Sequence, residues 1–161
     1  RADKRKRTKH NLPELITNTV NTLDPILRRK KIVLEIHHDK IDFERRVFPI
    51  DIESIVYNLI INSMEAFESS KIVERHIVIQ LSTDDMFHFK YYDNGKGIDP
   101  IFKDPYDIFK FGTTSKVDSN GEKIGTGLGM YIVSSTLREY NSAPKLINWK
   151  DCFEMQFSIG G

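Results

Sequence analysis

Residues 52–67 (IESIVYNLIINSMEAF) constrain the fold more than any other segment. Ile52, Ile55, Val56, Leu59, Ile60, Ser63 and Phe67 recur at helical spacing, and Asp51 stands where an N-cap would be. Tyr57, Ile61 and Met64 extend the apolar surface beside them. At about 100° per residue, Asn58, Asn62 and Glu65 share one stripe within about 60° of each other. A helix apolar over most of its circumference with one amide-bearing stripe implies a polar cavity against that stripe. The competing reading is the exposed edge of an ordinary amphipathic helix.

The other segments supply partners for this helix. Residues 13–30 read as a helix with Asn11 as cap, Pro13 in the first turn and a kink or interruption at Pro25. Residues 32–38 alternate as a strand. Residues 76–82 and 86–92 read as two strands joined by a turn at Asp84-Asp85. A helix is expected over 128–140 and a strand pair over 145–149 and 153–159. Between them runs a Gly-, Asp-, Lys- and Thr-rich stretch from Asp93 to Gly127, long enough to be a functional lid. The order predicts a helical layer on one face of a mixed, mostly antiparallel sheet.

Composition removes several alternatives. Hydrophobic residues make up 39% of the 161 and charged residues 29%, too apolar for a disordered chain. Cys152 is the one cysteine, which excludes an internal disulfide and a cysteine-based zinc site. Every long apolar run is broken within a few residues, so none spans a membrane. The net charge of +1 is uneven: residues 1–10 hold six Lys/Arg and one acid, and the rest carries net −4. A basic arm can bind nucleic acid or anionic lipid, but the body has no basic aromatic stripe to support nucleic-acid binding. The arm is read as a solvated linker from an upstream domain, since the chain starts at Arg1 rather than at a methionine.

Two glycine motifs flank the presumed lid. Asp93-Asn94-Gly95-Lys96-Gly97-Ile98 directly follows the aromatic strand MFHFKYY. By itself it reads as a tight turn. It can also hold a carboxylate at a strand end while glycines admit a flat ligand to the backbone. Gly125-Thr126-Gly127-Leu128-Gly129-Met130 opens the next helix and offers backbone N–H groups to phosphate. It is neither a Walker loop nor a dinucleotide fingerprint, because no Gly-Lys-Ser/Thr follows and the third glycine comes too early.

Taken in order, the amide-striped helix, the Asp-x-Gly-x-Gly turn, the lid and the glycine-rich helix start resemble the GHKL superfamily. More closely, residues 11–159 resemble the catalytic, ATP-binding domain of a sensor histidine kinase. The resemblance implies a two-layer α/β sandwich of the Bergerat type, residues 1–10 being the arm and 11–161 the ATP-binding domain. It implies that Asn62 ligates Mg²⁺ through its side-chain oxygen, with Asn58 supporting the metal's water shell or the phosphates. Asp93 would accept a hydrogen bond from the exocyclic amine of adenine, within the box formed by Gly95, Gly97 and Ile98. A keto oxygen at that place in guanine would lose the bond and be repelled, so ATP is chosen over GTP. Residues 108–116 resemble the phenylalanine box and threonine-rich lid, in which Phe109 and Phe111 anchor and Thr113, Thr114 and Lys116 reach the phosphates. Gly125, Thr126, Gly127, Leu128, Gly129 and Met130 correspond to the second glycine box. Glu65 and Ala66 stand where many members carry a basic residue and an aromatic, and Trp149-Lys150-Asp151-Cys152 replaces a glycine-rich turn near the end.

Members of the superfamily that hydrolyse ATP themselves carry a glutamate at the position of Asn58, acting as general base on water. Asn58 cannot take a proton, which favours phosphoryl transfer to another group, resting mainly on positioning and metal electrostatics. None of His10, His37, His38, His76 and His88 lies in the acidic, helical setting of an acceptor. The acceptor histidine is therefore expected upstream of Arg1, on a dimerisation domain. The implied partners are ATP, that domain and a response regulator receiver domain. The isolated chain is expected to be a monomer on the cytoplasmic side of its parent. A GHKL ATPase or serine-kinase-like regulator is the first alternative. A degenerate nucleotide-binding interaction module is the second.

Overall fold

The computed structural model describes residues 6–38, 41–112 and 128–161. Its order is β1 (Thr8–Asn11), α1 (Leu12–Arg29), β2 (Ile32–His37), β3 (Glu44–Val47), α2 (Pro49–Ser70), β4 (Arg75–Thr83) and β5 (Met86–Asp93). A 3-10 turn (Pro105–Phe109), α3 (Gly129–Arg138), β6 (Lys145–Asn148) and β7 (Phe153–Gly160) follow. The main sheet has the order β2-β4-β5-β7-β6. Only β2 and β4 run parallel within it, and the other pairs are antiparallel. The expected two-layer architecture is present.

Period-two alternation explains the layering. Ile77, Ile79 and Leu81 of β4 face inward with Phe87, Phe89 and Tyr91 of β5 and Phe153, Met155, Phe157 and Ile159 of β7. Their neighbours Gln80, Lys90 and Gln156 line up across the opposite, open face. The inward residues form one core with Leu12, Ile16, Val20 and Leu27 of α1, Ile52, Ile55, Val56, Leu59, Ile60, Met64 and Phe67 of α2, and Val133 and Leu137 of α3. Phe89 and Phe157 stack at 4.6 Å between ring centres, joining the two central strands under the helices.

Helix starts depart from expectation in an instructive way. Asn11 caps α1 as expected, its Oδ1 accepting from Glu14 N at 3.2 Å. Pro25 does not interrupt α1, which runs on to Arg29. Pro25 is exposed, so water can satisfy the carbonyl that the proline leaves without a donor. Asp51 is not the cap of α2. The helix begins at Pro49, whose fixed φ suits the first position, and Phe48 precedes it without a side-chain cap. Asp51 is instead buried and accepts a hydrogen bond from the Tyr140 hydroxyl at 2.6 Å.

The arm is shorter than the charge run implied. Thr8–Asn11 forms β1 and pairs antiparallel with β3 in a separate two-stranded sheet. Arg7 donates to the Glu139 carbonyl at 3.0 Å and lies over the Tyr140 ring at 4.2 Å. Both strands are four residues of mixed polarity, TKHN and ERRV, without the alternation that marks a strand. Backbone pairing and the guanidinium-on-ring contact order them, and neither leaves a periodic signal.

Candidate nucleotide site

Three elements meet along α2 between Asn58 and Ala66. Near its middle, Asn58 donates through Nδ2 to the Ser54 carbonyl at 2.8 Å and to Ser54 Oγ at 3.2 Å. That fixes the amide and turns its oxygen toward the start of α3. A Cβ on Gly129 would lie 3.3 Å from Asn58 Oδ1, so a side chain there would press on the amide. The third glycine of the second box thus lets the two helix segments approach. Asn62 follows one turn after Asn58 on the same stripe, half-buried, as does Glu65.

Asp93 ends β5 and is 1% exposed. Its Oδ1 accepts from Gly95 N at 2.8 Å and its Oδ2 from Ser63 Oγ at 2.5 Å. Gly95 is needed by contact, since a Cβ there would sit 2.9 Å from Asp93 Oδ1 and 3.6 Å from the Ala66 Cβ. Ala66 is therefore packed beneath the Asp93 turn, which explains why this helix position is small. Tyr91 is fully buried; its hydroxyl lies 2.6 Å from Ser63 Oγ and 3.1 Å from the Leu59 carbonyl. Burial, and then the neighbouring Asp93 charge, push the Tyr91 phenol well above its ordinary range.

Gly97 holds the turn against the β6–β7 connection. It has φ +79°, and an added Cβ would meet the Trp149 carbonyl oxygen at 2.3 Å. Ile98 N donates to that oxygen at 2.8 Å, and Gly97 bridges to Lys150. The Trp149-to-Cys152 segment, which has no glycine, thus forms one wall of the loop after Asp93. Its Cys152 thiol is pushed up by burial and by the Glu154 and Asp93 charges.

The remaining expected residues divide. Phe109 is buried and packs at 6.0 Å from the Tyr106 ring, whose hydroxyl accepts from Leu146 N at 3.0 Å. Phe111 is 71% exposed and touches Tyr131 edge-on at 5.3 Å, so of the two only Phe109 is fixed in the core. Leu128 accepts from Ile132 N at 2.8 Å at the start of α3, and the Met130 side chain is core. Thr113, Thr114, Lys116, Gly125, Thr126 and Gly127 lie outside the described residues. Ser63 and Tyr91 were not singled out from the sequence as site residues. A serine on the apolar stripe of a helix was the available signal, since a buried hydroxyl needs a partner.

Among the described residues, no group of three or more His, Cys, Asp or Glu could hold a metal. The stripe offers amide oxygens instead, a donor set that fits a hard cation whose other ligands are phosphate oxygens and water.

A second polar constellation lies on the open face. His88 contacts Ser158 Oγ through Nδ1 at 2.7 Å and Asp84 through Nε2 at 2.8 Å. The row has the distances of a nucleophilic triad. However, its histidine and serine are cross-strand partners in the β5–β7 ladder, where backbone N–H groups bond the neighbouring strand rather than an oxyanion. It ties the β4–β5 turn to β7.

The helices-on-sheet frame, with an amide-striped helix facing a buried strand-end aspartate, is similar in fold to solved histidine-kinase catalytic domains. The nucleotide-free catalytic domain of histidine kinase ThkA is similar at TM-score 0.74 and 21% identity, covering 97% of this chain and 96% of that one. The mycobacterial sensor histidine kinase MprB is similar at TM-score 0.72 and 16% identity, with 96% and 97% covered. ThkA in complex with response regulator protein TrrA is similar at TM-score 0.73 and 19% identity, covering 96% of this chain and 41% of that one. No curated protein matches the sequence. Residues 48–149 match the family of histidine kinase-, DNA gyrase B- and HSP90-like ATPases, and the chain belongs to that family.

Proposed function

We propose that the chain is the Mg·ATP-binding catalytic domain of a two-component sensor histidine kinase. It would transfer the γ-phosphoryl group to a histidine on a dimerisation domain outside residues 1–161. The observation that supports this reading is Asp93: a carboxylate at a strand end, 1% exposed and held by Ser63 and Gly95 N, as a fixed acceptor for adenine's amine would have to be. Asn62 would hold the cation and Asn58 the water or phosphate beside it. Gly129 would keep the phosphate-binding helix start close to that amide. Gly95, Gly97 and Ile98 would form the base edge of the pocket. When bound, Mg²⁺ supplies charge neutralisation at the phosphates. The chain's own residues bind, orient and select.

Within the family, Asn58 favours transfer over self-contained hydrolysis. Its amide is committed to Ser54 and it has no proton-accepting carboxylate. The response regulator in the ThkA complex supports a receiver domain as a further partner of the parent protein. A place on the cytoplasmic side follows from that reading.

Titration calorimetry of the 161-residue chain with ATP, ADP and GTP, with and without Mg²⁺, tests the proposal. Adenine-selective, metal-linked binding is expected, weakened about tenfold or more by Asp93→Asn. Equal affinity for ATP and GTP would overturn the base assignment. Sustained phosphate release by the chain alone would overturn the transferase reading in favour of an ATPase.

A further inference from the structure

We propose that Ser63 and Tyr91 form a two-hydroxyl relay that keeps Asp93 a pure hydrogen-bond acceptor and so sets selectivity for a 6-amino over a 6-keto purine. This deepens the adenine-site reading and rests on it.

The proton assignment follows from donor and acceptor chemistry. An ionised carboxylate only accepts, so the 2.5 Å contact requires the Ser63 hydroxyl proton to point at Asp93 Oδ2. Ser63 then has no proton left for Tyr91. The 2.6 Å contact between the two hydroxyls is attractive only if Tyr91 donates to Ser63 Oγ. The Leu59 carbonyl, at 3.1 Å, is the longer and weaker acceptor for the same proton. Both hydroxyl dipoles therefore align toward Asp93, and each bond polarises the next between two fully buried side chains.

Burial alone works against a charged aspartate, because desolvation favours the neutral acid. A protonated Asp93 would carry an O–H that donates equally well to a purine keto oxygen, and base choice would blur. Ser63 Oγ and Gly95 N offset this by donating one to each carboxylate oxygen. Short O–H···O⁻ contacts are the strong members of their class. Tyr91 keeps its own proton, since burial and the Asp93 charge disfavour the phenolate. Ser63 and Tyr91 do not reach the base in this scheme; they are positioning residues acting through Asp93.

The experiment is calorimetry of the 161-residue chain with ATP and with ITP, which presents a keto oxygen in place of the amine. Wild type is expected to prefer ATP by at least about tenfold. Ser63→Ala should lose about tenfold in ATP affinity and bring the ATP:ITP ratio near one, while Ser63→Thr should keep both. Tyr91→Phe should lower the ratio by about threefold, and the double variant should be no worse than Ser63→Ala, because Tyr91 acts only through Ser63. A ratio unchanged in Ser63→Ala overturns the relay and leaves the ATP site standing. If Ser63→Ala does not fold, an unchanged ratio in Tyr91→Phe overturns it. Absence of ATP binding by wild type removes the adenine-site reading and the relay with it, and is seen before any variant is made.

Discussion

The Tyr140 hydroxyl donates to the buried Asp51 carboxylate at 2.6 Å, tying the chain just past α3 to the first turn of α2. The same oxygen accepts from Phe48 N at 3.1 Å, the backbone donor next to the start of α2. Arg7 and Arg45 both lie near the Tyr140 ring, at 4.2 and 5.4 Å. One phenol thus connects the helix that carries Asn58 and Asn62, the helix that starts at Gly129, and the strand pair β1–β3. Two parts of the candidate nucleotide site share this fastening at their far end.

Tyr140→Phe should therefore destabilise the domain by about 1–3 kcal/mol, since it removes the phenol from Asp51 and the acceptor from Phe48 N. The effect carries a pH signature. Burial first, and then the bond to Asp51, push the Tyr140 phenol up to about 12. A group whose folded value is raised contributes fully below its unfolded value of about 10 and loses that contribution as pH rises toward the folded value. Denaturant melts should show the wild-type advantage over Tyr140→Phe constant from pH 7 to 9 and shrinking above pH 10. A constant gap to pH 12 would contradict the geometry.

The acid side has its own reporter. Asp84 is held below the usual carboxylate range by the Met86 N–H first and by His88 second. A depressed carboxyl stabilises above its unfolded value, near 4, and loses that contribution as pH falls through the lower folded one. Asp84→Asn should flatten the acid limb of the melting curve and spread the β4–β5 turn, read as faster amide exchange at Asp84 and Met86, whose N–H groups close it. An acid limb identical to wild type would show that Asp84 carries no pH-linked stability.

The same residues show what was legible in the sequence. Alternation in β4, β5 and β7 and the spacing in α2 fixed the layers, because burial on one face leaves a period. The DxGxG turn stood out because only glycine fits 2.9 Å from Asp93 Oδ1 at Gly95, or φ +79° at Gly97. What escaped is held by contacts without periodicity. β1 and β3 are ordered by backbone pairing, and Asp51 is turned from a presumed cap into a buried acceptor by a tyrosine 89 residues away. Ser63 matched the apolar stripe in position, and its hydroxyl becomes meaningful only once Tyr91 and Asp93 are brought beside it by the fold.

Two glycines separate strain from close approach. Gly97 and Gly112 both have positive φ, +79° and +76°, but among the described residues nothing lies within 4 Å of a Cβ at Gly112. Gly112→Ala should cost about 1 kcal/mol, the backbone penalty alone. Gly97→Ala adds a clash with the Trp149 carbonyl at 2.3 Å and should cost about 3 kcal/mol or more, with loss of the Ile98 N bond to that oxygen. Urea midpoints of the two variants measure the difference, and equal midpoints would mean that the loop after Asp93 is not braced by the β6–β7 connection.

Asn62 and Asn58 share a stripe but are expected to fail differently. On the proposed reading, Asn62→Ala would remove the cation's amide ligand without touching the Asn58–Ser54 bonds. ATP affinity in Mg²⁺ should fall about tenfold while metal-free affinity stays within about twofold of wild type. Asn58→Ala frees the Ser54 carbonyl contact and opens space beside Gly129, where Asn58 Oδ1 would lie 3.3 Å from an added Cβ. It should weaken ATP both with and without metal, because it loosens the α2–α3 approach that, on the proposed reading, would shape the phosphate end. Calorimetry with Mg²⁺ and with a chelator separates the two patterns. A metal-independent loss in Asn62→Ala would move the cation away from this stripe.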